Sequence, residues 1–202
     1  MPSLITAVVL AAGQSRRMGR PKQLETIGGE PMVVRAVRTA LAGDAAEVLV
    51  ITGAYADRVA EVLRPLQAVA SDRLRVIANP QYASGQASSV RTAIQALDPR
   101  CEAVLFLLVD QPFVTQALLQ RLIAAWRAGA PLAASMARDE VRGAPAIFDR
   151  SLFPELLQLT GDTGARPLLQ RHREKMARIP ATADELRDID TPDDLAGVRT
   201  EG

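Results

Sequence analysis

The sequence predicts an α/β fold, a single three-layer, Rossmann-like domain with a mostly parallel central sheet. Over roughly the first 125 residues, short apolar runs alternate with segments of helical spacing, and interposed helices turn successive strands the same way. Those runs are largely apolar, as strands covered on both faces are. A chain of 202 residues suits one core, and no repeat, low-complexity stretch or long linker divides it.

Leu4–Leu10 reads as the first buried strand, followed by a glycine-containing loop. Pro31–Ala42 has helical spacing through Val33, Val34, Val37 and Leu41, with Pro31 suited to a first turn. Glu47–Thr52 is a strand, Tyr55–Leu63 a helix, and Leu74–Ala78 a strand closed by Asn79-Pro80. Ser88–Leu97 is a helix, and Ala103–Val109 the most apolar strand. Thr115–Arg127 is an amphipathic helix that turns Leu118, Leu119, Leu122, Ile123 and Trp126 inward. Beyond it, Leu132–Ala137 and Ala144–Phe148 read as strands, and Ser151–Leu159 and Arg166–Arg173 as short helices. Ala177–Ile179 is expected as a last strand and Pro192–Val198 as a terminal helix.

Composition excludes several classes. Aromatics are 3% and the formal charge is +1 without a basic block, which argues against a nucleic-acid partner. Cys101 is the only cysteine, so no intramolecular disulfide forms, and its apolar neighbourhood predicts a buried structural thiol. The first apolar run lacks a basic leader and is too short to span a bilayer. A cytoplasmic protein with no membrane partner is the expectation.

In open α/β sheets ligands bind beyond the carboxyl ends of the strands, which directs attention to the loops after Leu10, Ala78 and Val109. The first, Ala11–Lys22, holds small residues whose N–H groups can cradle phosphate, then Arg16, Arg17, Arg20 and Lys22 within seven residues. A bound polyanion or a solvated basic loop would account for that density. Five residues separate Gly13 from Gly19 and Arg20 follows, so the segment is not a P-loop, and G-x-G-x-x-G is absent. Asp110 ends the most apolar strand before Gln111-Pro112, as a turn residue or a ligand for a hard cation. Near the C-terminus, Thr191 reads as a helix N-cap, Pro192 as N1 and Asp194 as the acidic partner of a capping box. Asp193 and Asp194 therefore serve the helix, while Asp188 and Asp190 lie before it and share a side if extended. His172, on a charged helix, is expected to be solvated.

The first loop resembles the signature L-A-[AG]-G-x-S-x-R-M-G-x-x-K of the molybdenum cofactor nucleotidyltransferases in the MobA-like NTP transferase family. It matches at Leu10, Ala11, Ala12, Gly13, Ser15, Arg17, Met18, Gly19 and Lys22. The resemblance implies a GT-A-like nucleotidyltransferase domain over 1–202, with an NTP-binding half near 1–112 and an acceptor-binding half near 113–202. By the same carry-over, Leu10–Gly13 and Lys22 hold the triphosphate, and Arg17, Lys22 and Asp110 are catalytic. Asp110 and Asp190 hold Mg²⁺, for which Mn²⁺ could substitute, with Asp188 as the other candidate for the second ligand.

Asn79–Val90 resembles N-P-x-[YW]-x-x-G-x-x-x-S-V, which implies base contacts from Asn79, Gly85, Ser88 and Ser89; helix capping by the serines is the plainer reading. Gly143 and Pro145 match a G-x-P element, and Gly161–Arg166 a G-D-x-G-A-R stretch, on the implied acceptor side. Arg166 could meet an acceptor phosphate or a surface carboxylate. Ala12, where the guanylyl branch usually has glycine, points to the cytidylyl branch, with CTP and molybdopterin as substrates and a molybdenum hydroxylase or its delivery chaperone as possible recipient. GTP as donor, a sugar or methylerythritol-type phosphate as acceptor, or a non-catalytic molybdopterin or NTP carrier are the alternatives.

Overall fold

The computed structural model describes residues 4–138 and 140–200. Strand β1 (Ile5–Ala11) is buried along its whole length. Ile5, Ala7, Val9 and Ala11 enter one core and Val8 and Leu10 the other, because successive side chains leave a strand on opposite faces. Its apolar run is thus a strand between two helical layers.

Between β1 and helix α1 (Met32–Leu41), β2 (Thr26–Ile27) and β3 (Glu30–Pro31) form a small hairpin. Then follow β4 (Glu47–Thr52), α2 (Ala56–Ala70), β5 (Leu74–Ala78), α3 (Gln86–Ala96), β6 (Ala103–Leu108) and α4 (Gln116–Arg127). The chain continues through β7 (Leu132–Ala137), β8 (Glu140–Asp149), α5 (Phe153–Leu157), α6 (Arg166–Arg171), β9 (Met176–Pro180) and α7 (Pro192–Thr200).

The main sheet runs β5-β4-β1-β6-β8-β7-β9. Its pairings are parallel except those of β8, which runs against both β6 and β7. The expected mostly parallel sheet therefore holds, with one reversed strand. Helices α1, α2 and α4 cover one face and α3, α5 and α6 the other. Of the anticipated inward residues, Leu118, Leu119, Leu122 and Ile123 are buried and Trp126 is half-buried, its Nε1 donating to Asp149 Oδ2.

Two expectations need correction. The helix predicted to stop at Leu63 runs on to Ala70 through Pro65. A proline inside a helix costs about 3 kcal/mol, but Leu66 and Ala70 pack against the core and offset it. His172 is not simply solvated: its Nε2 lies 2.9 Å from Glu155 Oε1 and its side chain is 21% exposed. Cys101 is buried, as expected, its thiol donating to Thr6 Oγ1 and the Ala103 carbonyl, and burial pushes the thiol up.

Candidate active site

At the carboxyl ends of β1, β5 and β6 the chain opens into a cleft of about 680 Å³. Its lining sets Arg16, Arg17, Lys22 and Arg166 against Asp110, Asp162, Asp188 and Asp190, four charges of each sign.

The first loop is shaped by a residue the sequence reading passed over. Gln23 is fully buried, and its Nε2 donates to the carbonyls of Ala11 at 3.0 Å and Gly13 at 2.6 Å. Its Oε1 accepts from Ser15 Oγ, which in turn accepts from the Lys22 backbone N–H. Ser15 has φ 55 and Gly19 φ 71, so the loop doubles back and returns Lys22 beneath the end of β1. Gly53 braces this arrangement, since a Cβ there would lie 2.6 Å from Tyr82 Cβ and 2.7 Å from the Ala12 carbonyl. The first loop, the β4–α2 turn and the loop after β5 can close together only over a bare backbone.

Lys22 Nζ donates to Asp110 Oδ2 at 2.6 Å and to Asp190 Oδ1 at 2.8 Å, and Arg17 pairs with Asp190 Oδ2 at 2.8 Å. Burial alone would push the Lys22 ammonium down; the two carboxylates outweigh it and hold it above the usual lysine range. The cationic loop is thus largely engaged within the protein: Arg20 pairs with the Glu25 carboxylate, and Arg16 donates to the Gln14 side-chain amide oxygen. Asp110 and Asp190 converge although 80 positions separate them. Ile189 N–H donates to the Asp110 carbonyl at 2.8 Å, and Gln111 Nε2 to Asp188 Oδ1 at 3.1 Å. Asp190 shares a cation with Asp110, whereas Asp188 is held by Gln111. On the far side, Thr191 and Asp194 form the expected capping box: Asp194 N–H donates to Thr191 Oγ1, and Asp194 Oδ2 accepts from the N–H groups of Asp190 and Thr191.

The loop after β5 divides the anticipated base contacts. Gly85 and Ser89 line the cleft with Tyr82, Ser84 and Gln86. Asn79 and Ser88 are buried beneath it, Asn79 Nδ2 donating to both Ser88 Oγ and Ser89 Oγ. Ala11 likewise faces the core. The serines do not cap α3, which starts at Gln86; the Gln86 N–H donates to Asp162 Oδ1 at 3.0 Å and Ala87 N–H to the Gly161 carbonyl at 3.1 Å. A Cβ on Gly85, whose φ is 106, would sit 2.5 Å from the Gly161 carbonyl oxygen.

This contact carries Arg166 to the cleft rim, where it also borders a side pocket of about 160 Å³ with Leu10, Phe106, Leu108 and Phe148 on its walls. Among the described residues Arg166 makes no ion pair, so the surface salt bridge weighed for it is not formed. Gly143 lines that pocket, and a Cβ there would meet the Arg166 stem at 3.5 Å; Pro145 follows a cis peptide and borders neither cavity.

The family described as MobA-like NTP transferase domain matches residues 7–176. Nicotine blue oxidoreductase of Paenarthrobacter nicotinovorans is 30% identical over 200 residues, covering 95% of this chain and 94% of that protein. Purine catabolism protein PucB of Bacillus subtilis is 32% identical, covering 98% and 97%. Bifunctional protein GlmU of Sorangium cellulosum is 39% identical over 136 residues, and the match spans 28% of GlmU. Among solved structures, Rv0371c of Mycobacterium tuberculosis superposes with a TM-score of 0.82 at 30% identity, covering 99% of this chain and 100% of that one. A structure of Rv0371c in complex with manganese superposes with a TM-score of 0.78 at 27% identity.

Proposed function

Because this chain belongs to the family of MobA-like NTP transferase domains, we propose that it transfers CMP from CTP to the phosphate of molybdopterin and releases pyrophosphate. The convergence of Asp110, Asp190 and Lys22 at the mouth of the first loop carries this reading.

The carboxylate pair fits a hard divalent cation. Asp110 Oδ1 is buried without a hydrogen-bond partner, and Asp190 Oδ1 meets the same lysine ammonium as Asp110 Oδ2. Among the described residues no group of three or more His, Cys, Asp or Glu could hold a metal. Mg²⁺ on a triphosphate needs only one or two carboxylates besides the phosphate oxygens. When bound by Asp110 and Asp190, Mg²⁺ or Mn²⁺ would supply charge neutralisation at the α-phosphate.

The remaining chemistry is positioning and electrostatics. The backbone from Leu10 to Gly13 faces the triphosphate, and Lys22 and Arg17 stabilise the charge that develops as pyrophosphate leaves. The small side chains of the loop after β5, with Tyr82 and Ser89 at the cleft, take the base. Ala12 adds a methyl group there, which narrows the space and favours cytosine over guanine. Arg166 meets the acceptor phosphate at the boundary between cleft and side pocket, whose apolar walls suit the acceptor's ring better than a polyol. The methylerythritol-type reading calls for an arginine between Gly85 and Ser89, where this chain has Gln86, Ala87 and Ser88. Among the described residues no helix is long and apolar enough to cross a membrane. The place of action on this reading is the cytoplasm, with a molybdenum hydroxylase or its chaperone receiving the product.

The test is pyrophosphate release from CTP, GTP, ATP and UTP in turn, with Mg²⁺ and molybdopterin. Release with CTP alone is expected. Release with GTP would overturn the reading of Ala12, and silence with all four would overturn molybdopterin as acceptor.

A further inference from the structure

Lys22 stands at the point where Asp110 Oδ2 and Asp190 Oδ1 converge. A magnesium ion coordinated by those two oxygens would lie about 2.1 Å from each, and would overlap the ammonium. Asp190 Oδ2 is engaged by Arg17 NH2 at 2.8 Å. That leaves Asp110 Oδ1 as the pair's single uncommitted oxygen, too few donors for a divalent ion by itself.

The backbone of Lys22 is pinned by its N–H bond to Ser15 Oγ, but its stem lines the open cleft. The ammonium can therefore leave the carboxylates without movement of the loop, provided a stronger anion draws it. A triphosphate in the cleft is such an anion.

We propose that Lys22 is a loading latch: it closes the Asp110–Asp190 pair to free divalent cations and releases it to a triphosphate, so that metal enters together with nucleotide. This rests on the reading of Asp110 and Asp190 as the metal pair. The latch keeps a carboxylate pair from gathering metal between turnovers, and it gives one lysine two successive partners, carboxylate then phosphate.

The experiment measures Mn²⁺ binding to the whole protein by electron paramagnetic resonance. It is run with and without a CTP analogue carrying a methylene bridge between the α- and β-phosphates. Wild type should bind Mn²⁺ weakly alone and tightly with the analogue. Lys22→Met removes the competing charge and should tighten binding without nucleotide by about tenfold or more, while Lys22→Arg, which keeps the charge, should stay weak. Equal nucleotide-free affinities in wild type and Lys22→Met, both lost in Asp110→Asn, would overturn the latch alone. A tight site that survives Asp110→Asn in the Lys22→Met background would overturn the metal pair, and the latch with it.

Discussion

The Gln111 side-chain amide donates to the Asp188 carboxylate at 3.1 Å, and so ties the residue after Asp110 to the residue two before Asp190. With the Ile189 to Asp110 backbone bond, it sets the separation of the two carboxylates that share Lys22. Gln111 is buried, so its truncation removes this part-buried hydrogen bond and leaves a gap beneath the cleft. Gln111→Ala should cost about 1–3 kcal/mol of stability. It should also lower kcat about tenfold while leaving CTP affinity nearly intact, as read by thermal melts and steady-state kinetics.

Asp110 and Asp190 should behave alike and Asp188 differently. Asp110→Asn and Asp190→Asn should each cut turnover by about a hundredfold or more, with the protein still folded. Asp188→Asn keeps a partner for Gln111 and should lose less. Single-turnover rates for the three variants check the order; a larger loss at Asp188 than at Asp190 would transfer the metal to Asp188.

Gln23 holds the first loop from below through three hydrogen bonds. Gln23→Ala should destabilise the fold by about 2–4 kcal/mol and raise KM for CTP, because the loop would no longer present Lys22 at the cleft. Denaturant melts and CTP titration measure both.

Gly85 and Gly161 are the contact between the proposed nucleotide and acceptor sides. Alanine at Gly85 would combine a positive φ with a Cβ 2.5 Å from the Gly161 carbonyl oxygen, a cost of about 1–3 kcal/mol or more. Gly85→Ala should release Asp162 from the α3 N-terminus and weaken CTP and acceptor together. Gly13→Ala, where a Cβ meets nothing within 4 Å, should affect CTP alone.

Asp194 gives the terminal helix a pH dependence. Hydrogen bonds from the Thr191 hydroxyl and from the N–H groups of Thr191 and Asp190 hold its carboxyl below the ordinary 3.8. A lowered folded value stabilises the protein above that ordinary value, and the contribution is lost as pH falls through the folded one. Melting temperature should therefore drop more steeply for wild type than for Asp194→Asn between about pH 5 and about pH 3. Thr191→Ala should cost about 1 kcal/mol at neutral pH.

The strands and helices around the cleft were legible because each is a strongly periodic or wholly apolar run with its own punctuation, such as Asn79-Pro80 after β5. The hairpin of β2 and β3 was missed although Gly28-Gly29, with φ of 59 and 80, carries its turn signal; its two-residue strands hold too little pattern to register. Lys22, Asp110 and Asp190 were legible from loop position and motif. Their partners were not: Gln23, Gln111 and Asp162 act through contacts 8 to 77 positions distant. No local spacing distinguishes a buried glutamine that builds a loop from one on the surface. The same limit explains α3, whose N-terminus is satisfied by Asp162 from across the cleft rather than by the serines beside it.

The most direct measurement of nucleotidyl transfer follows two labels through one reaction with molybdopterin and Mg²⁺, CTP carrying ³²P at the α-phosphate in one sample and at the γ-phosphate in the other. The account predicts that the α-label appears in the molybdopterin product and the γ-label in pyrophosphate. Recovery of the γ-label as orthophosphate, or of both labels in unchanged CTP, would contradict it.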